Sequence, residues 1–211
     1  MLSPFKEYRG LVGDTNTPYP WLLNEKTIYM EIPKNGSASI KHHFLNLSGD
    51  SFCRVGPERI ANYKDVVVVL RDPIKRFASL LSHYFIKTQA QLVDRRIPFK
   101  HGREWLKSNG ISSDIDHSNV CKIVLDNIEK INTLYEPHHW NPQTSFLPNK
   151  DFYHPDSKIR YIKMKDIHTL GVGEKRNRSE SKSISIDSDD IKKIKEMYAE
   201  DFDLYSRVFE I

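Results

Sequence analysis

Two apolar runs in the N-terminal half each end in a polar turn and resume as a helical stripe. From Thr27 to Ile32 the chain alternates, with Ile28, Met30 and Ile32 on one face, which predicts a strand. Ile40, Phe44 and Leu47 then recur at the spacing of a buried helical stripe, so a helix is expected to run to about Leu47, closed by Ser48-Gly49-Asp50. Val66-Val-Val-Val-Leu70 reads as a buried strand. It leads into a helix over about 74–87, with Phe77, Leu80, Leu81, Tyr84 and Phe85 on one stripe and Lys75, Ser79, Ser82 and His83 opposite.

The remaining segments continue the alternation less sharply. Residues 1–26, rich in Pro, Gly, Asn and Thr, are expected to form an irregular N-terminal arm anchored by Trp21 and Leu22. Residues 51–65 connect the first helix to the second strand, and 88–110 read as a basic, irregular stretch carrying Arg95, Arg96, Lys100, His101 and Arg103. Within it, Trp105 and Leu106 mark a short helix. Val120, Val124, Ile128, Ile131 and Tyr135 predict one helix over 117–135, broken by the two prolines of Glu136-Pro-His-His-Trp-Asn-Pro-Gln143. Phe152, Tyr153 and Ile159 to Met164 predict a further strand, parallel to the first two. A polar loop over 171–185 precedes a last helix capped by Ser188 with Asp189 and Asp190. Strands alternating with helices predict a single α/β domain over 27–211, with a mostly parallel central sheet flanked by helices.

Composition changes this picture little. Hydrophobic residues at 38% and charged residues at 28% are ordinary for a soluble domain, and a net charge of +4 spread along the chain does not point to nucleic acid. Cys53 and Cys121 lack metal-ligand spacing and suggest a reducing compartment. There is no run of apolar residues long enough to span a membrane, and the start has no signal-like apolar region, so a cytoplasmic protein is expected.

The chemistry is expected where the two strands end. Pro33-Lys-Asn-Gly-Ser-Ala-Ser39 puts a lysine, small polar residues and the N–H groups of a helix start together, which suits an anion. Arg71 follows the second strand, and ligands of α/β sheets bind outside the carboxyl ends of the strands. Lys34 and Arg71 therefore suit one ligand with two separated anionic groups. Gly-x-x-x-x-Gly-Lys-[Ser/Thr] is absent and Asp72 is committed to the Arg-Asp-Pro turn, which disfavours a metal-dependent kinase. No His, Cys or carboxylate cluster has metal-ligand spacing.

Ile32-Pro-Lys-Asn-Gly-Ser-Ala-Ser-Ile40 resembles the 5′-phosphosulfate loop of sulfotransferases that use 3′-phosphoadenosine-5′-phosphosulfate (PAPS). Val68-Val-Leu-Arg-Asp-Pro-Ile-Lys-Arg-Phe-Ala-Ser79 resembles their 3′-phosphate motif. His139-Trp-Asn-Pro-Gln143 and Tyr198-Ala-Glu-Asp-Phe-Asp-Leu-Tyr205 are similar to segments of the carbohydrate sulfotransferase branch. The resemblance implies a P-loop-like fold and metal-independent, in-line transfer from PAPS to a hydroxyl of a carbohydrate or similar acceptor, with 3′-phosphoadenosine-5′-phosphate (PAP) as product. It implies that Lys34 contacts the phosphosulfate, that Asn35, Gly36, Ser37, Ala38 and Ser39 wrap the 5′-phosphate, and that Arg71 and Ser79 bind the 3′-phosphate. Arg178 and Ser179 resemble a late segment that closes over the nucleotide. A hydroxyl nucleophile needs a base, and His139, then His138, then Glu58 are the candidates. Relatives with a base between the two cofactor motifs also leave His42 and His43 open, and His83 shares the Ser79 face. A small-molecule kinase-like transferase and a non-catalytic PAP-binding module are the alternatives.

Overall fold

The computed structural model describes residues 20–48, 53–86, 97–112, 115, 117–134, 136–173 and 184–210. Four strands form one sheet in the order β1 (Trp21–Asn24), β2 (Thr27–Met30), β3 (Asp65–Leu70) and β4 (Lys158–Lys163). β2, β3 and β4 are parallel, and β1 runs antiparallel beside β2. The expected α/β architecture is therefore present. One boundary differs, because Trp21 to Asn24 belong to the sheet rather than to an irregular arm.

Period-two alternation sorts the strands between two layers. Ile28, Met30, Val66, Val68 and Leu70 face one side, packed on Ile60, Tyr63, Phe146 and Leu204. Tyr29, Val67, Val69 and Ile162 face the other, against Ile40, Ile167 and Val172. Covering both faces explains why β3 reads as an unbroken apolar run. β4 lies at the edge of the sheet, where exposed Lys158 and Arg160 discourage pairing with another chain.

Helix α1 (Ser37–Ser48) follows β2, and α2 (Pro73–Leu81) follows β3. Asp72 caps α2 by accepting the Lys75 N–H at 2.9 Å, with Pro73 at the first helical position. The helix continues as a π turn over Ser82–Ile86, and Ser82 is buried rather than solvated. Residues 97–108, expected to be mostly irregular, form helix α3 (Ile97–Ser108), which buries Trp105 and Leu106.

The helix expected over 117–135 is shorter. α4 (Val120–Leu125) stops at Asp126, and a 3₁₀ segment covers Ile128–Thr133. Asp and Asn are weak helix formers, and Asn127 Nδ2 donates to the Ile123 carbonyl at 3.0 Å, competing with the helical pattern. Phe152 lies in a 3₁₀ turn instead of a strand. The C-terminal helix is two: α5 (Ser188–Met197) and α6 (Ala199–Phe209), meeting at Tyr198. Asp187, not Ser188, caps α5, its carboxylate accepting the Asp190 N–H at 2.8 Å. No helix among the described residues is long and apolar enough to cross a membrane.

Candidate active site

Parallel pairing of Met30 with Val68 sets the ends of β2 and β3 side by side, and so sets Lys34 beside Arg71. The Arg71 guanidinium donates to the Lys34 carbonyl at 3.0 Å. Arg71 is half-buried, and desolvation, reinforced by the nearby Arg76 charge, pulls its pKa to about 10, which leaves it cationic at neutral pH. The loop holds two left-handed residues, Lys34 at φ 69° and Gly36 at φ 82°. Glycine adopts this geometry freely, whereas for Lys34 it costs about 1–3 kcal/mol, a strain found mostly where function needs it. Beyond Gly36, the Ser39 and Ile40 N–H groups donate to the Gly36 carbonyl at 3.0 and 3.1 Å, and the N–H groups of Ser37 and Ala38 at the very start of α1 give the loop its positive end. Ser37 and Ala38 are half-exposed there, whereas Ser39 is buried.

The Asn35 side chain turns inward and is fully buried. Its amide donates to the Val69 carbonyl at 2.7 Å and to Gln143 Oε1 at 2.6 Å. Gln143 Oε1 also accepts the Arg71 N–H at 3.0 Å, and its Nε2 donates to the Arg71 carbonyl at 2.9 Å. Buried Asp201 on α6 accepts the N–H groups of Gln143 and Thr144 at 2.8 and 3.0 Å. One residue, Gln143, thus joins the Lys34 loop and the end of β3 through its side chain and the C-terminal helix through its backbone N–H.

Arg76 is the second joint. It is 1% exposed and donates to the carbonyls of Pro33 (3.2 Å), Asn141 (2.8 Å) and His139 (2.9 Å). Burial pulls its pKa down, and the opposing charge of Asp201 holds it up. The histidine turn, Pro137–Trp140, is therefore clamped onto the lysine loop. Trp140, fully buried, anchors the same turn in the aromatic cluster of Phe77, Tyr84 and Phe85.

His139 and His138 have rings 4.5 Å apart. Burial, followed by the charges of His138, Lys34, His83 and Arg76, holds the His139 pKa well below the usual histidine range. Burial also lowers the His138 pKa, while the Glu31 carboxylate raises it. Glu31 accepts from Trp21 Nε1 and Lys41 Nζ, both at 2.6 Å, tying β1 and α1 to the start of the loop. Lys34 and His83 thus both bear electrostatically on His139.

The other expected residues fall differently. Ser79 is half-buried on α2, eight residues past Arg71 in sequence, with no hydrogen bond between the two among the described residues. Glu58 is exposed in the 3₁₀ segment Pro57–Asn62, its carboxylate folded back over Gly56, and the structure does not bring it into contact with Lys34 or the two histidines. His42 lies on α1 against Asn46, and His43 packs near Gly171. Arg178 and Ser179 lie outside the described residues.

Arg76, Gln143 and Asp201 were not singled out by sequence reasoning. A signal existed for the first: Pro73, Arg76, Phe77 and Leu80 share the spacing of one buried stripe, and an arginine there is a charge committed to the interior.

The sequence profile described as "Sulfotransferase family" matches residues 24–206, nearly the whole described domain. The chain belongs to the sulfotransferase family. Compared with curated proteins and with solved structures, it finds no significant match. The matched span includes the lysine loop, the Arg-Asp-Pro turn and the histidine turn, and family membership makes the protein a transferase of sulfuryl groups. Among the described residues no group of three His, Cys, Asp or Glu side chains is arranged to hold a metal ion.

Proposed function

We propose that this sulfotransferase takes its sulfuryl group from PAPS and delivers it to a hydroxyl of a carbohydrate or similar acceptor, with His139 as general base. The observation that carries the reading is the clamp. Arg76, Asn35 and Gln143 fix Lys34, Arg71 and the His139 turn as one rigid unit, and transfer of this kind depends on fixed positions and fixed charge. PAPS, when bound, supplies the sulfuryl group and a phosphate leaving group. The residues present fit such a ligand, with a helix start and a lysine for one phosphate and a charged, half-buried arginine for the other. Lys34 neutralises charge that grows on the leaving oxygen. His139, kept neutral by its surroundings, accepts the acceptor's proton.

Labelled sulfate from PAPS should appear as a sulfate ester on one member of a mixed oligosaccharide pool, with EDTA present. Phosphoryl transfer from Mg-ATP in its place would overturn the reading. The free-enzyme pH profile of kcat/KM should have its acid limb below the ordinary histidine value of about 6.5, because the folded protein disfavours the imidazolium. His139→Ala should lower turnover by about 10²–10⁴-fold with PAP affinity nearly intact. Near-parent turnover in that variant would remove His139 from the role.

A further inference from the structure

We infer that Tyr84 and Glu136 are positioning residues that hold His139 as the Nδ1–H tautomer, leaving Nε2 bare to take the acceptor's proton. The inference rests on the reading of His139 as the base and adds what makes it one. Neutral imidazole has two tautomers, and only the ring nitrogen without a proton can accept one.

Among the described residues, three oxygens bear on the choice. Tyr84 Oη lies 3.1 Å from His139 Nδ1 and 3.3 Å from the Glu136 carbonyl oxygen. Glu136 Oε2 lies 3.7 Å from the same Nδ1. The carbonyl and the carboxylate can only accept. The Tyr84 hydroxyl has one proton, and donating it to the Glu136 carbonyl gives that oxygen a second hydrogen bond beside the His139 backbone N–H at 3.1 Å. Tyr84 Oη then accepts from Nδ1–H, and the carboxylate faces the same N–H. The opposite tautomer would turn the Tyr84 proton away from the carbonyl and leave the carboxylate facing a ring lone pair.

The frame around these atoms is fixed. Tyr84 is fully buried in the π turn Ser82–Ile86, a type of turn frequent at functional sites. Helix α3 presses on it from outside. A Cβ at Gly102 would collide with the Tyr84 carbonyl, so glycine is what lets the two backbones approach. Glu136 has a left-handed backbone, φ 50°, another non-glycine outlier at the site. Arg76 holds the His139 carbonyl at 2.9 Å. Neighbouring ionisable groups are His138, Lys34, His83 and Arg76, all raising the cost of the imidazolium, with Glu136 the carboxylate at hand. When one proton passes from the acceptor hydroxyl to Nε2, Nδ1–H still donates to Tyr84, and Glu136 opposes the new charge.

The test is the ¹⁵N resonance pair of His139 in the full chain with PAP bound, assigned by its loss in His139→Gln. The parent should show Nδ1 protonated and Nε2 bare. Tyr84→Phe should give a mixture of tautomers and lower kcat by on the order of 10- to 100-fold, short of the loss when a triad's orienting carboxylate is removed. KM for PAPS should barely move. Glu136→Gln should push the acid limb to still lower pH. A parent with Nε2 protonated, or a Tyr84→Phe protein with unchanged tautomer and acid limb, would overturn the assignment. A merely structural Tyr84 would change the melting temperature and leave the resonances alone. If His139→Ala keeps full turnover, the base reading fails on that result and not on the tautomer.

Discussion

Arg76→Met should cost about 3–5 kcal/mol of stability, the range found when one member of a buried, hydrogen-bonded charge system is removed. Methionine fills much the same volume, so the loss comes from polar groups and not from a void. Three carbonyls, of Pro33, His139 and Asn141, would lose their donor inside the protein, and Asp201 would lose its opposing charge. Urea unfolding of the parent and the variant reads the difference directly. Arg76→Lys should recover only part of it, because an ammonium cannot span three carbonyls in the guanidinium's fork. A loss below about 1 kcal/mol would show that the loop and the histidine turn are held by something else.

Lys34→Ala should lower kcat by about 10²–10³-fold while weakening PAP binding much less. The expectation follows from timing, since charge on the leaving oxygen grows mainly on the way to the transition state. The left-handed backbone at Lys34, braced by Arg71, aims the side chain from a fixed point. Saturating turnover and PAP titration separate the two quantities. A variant that turns over normally once saturated, with PAP affinity lost, would make Lys34 a binding residue only.

The layers of this fold were legible because periodicity encodes which face is buried. Ile28, Met30 and Ile32 lie together where alternation put them, and so does the Phe77–Leu80–Tyr84 stripe. The two loops were legible because helix starts after parallel strands carry a recognisable mixture of small and basic residues. Polar residues that work inward were much harder to see. Asn35 resembles its loop neighbours in composition, yet it bonds to Val69 and Gln143, a partner 108 positions away, and no local pattern announces that pairing. The same holds for Asp201, whose partners lie 57 and 58 residues earlier. Tyr84 was legible only as an apolar position, because periodicity does not register where a hydroxyl ends. The break after α4 was missed for the opposite reason. Ile128 and Ile131 keep helical spacing through a 3₁₀ segment, so the apolar pattern outlasts the α-helix.

At the centre of the account is one ligand with two phosphates, shared between the Lys34 loop and Arg71. Calorimetric titration with PAP and with ADP, which lacks the 3′-phosphate, tests it most directly. The parent should prefer PAP by about tenfold or more, as expected when a charge-assisted contact worth roughly 1.5–3 kcal/mol is present in one ligand and missing in the other. Arg71→Ala should bring PAP down to the affinity of ADP. Equal affinities in the parent, or a preference for PAP that survives Arg71→Ala, would contradict the account.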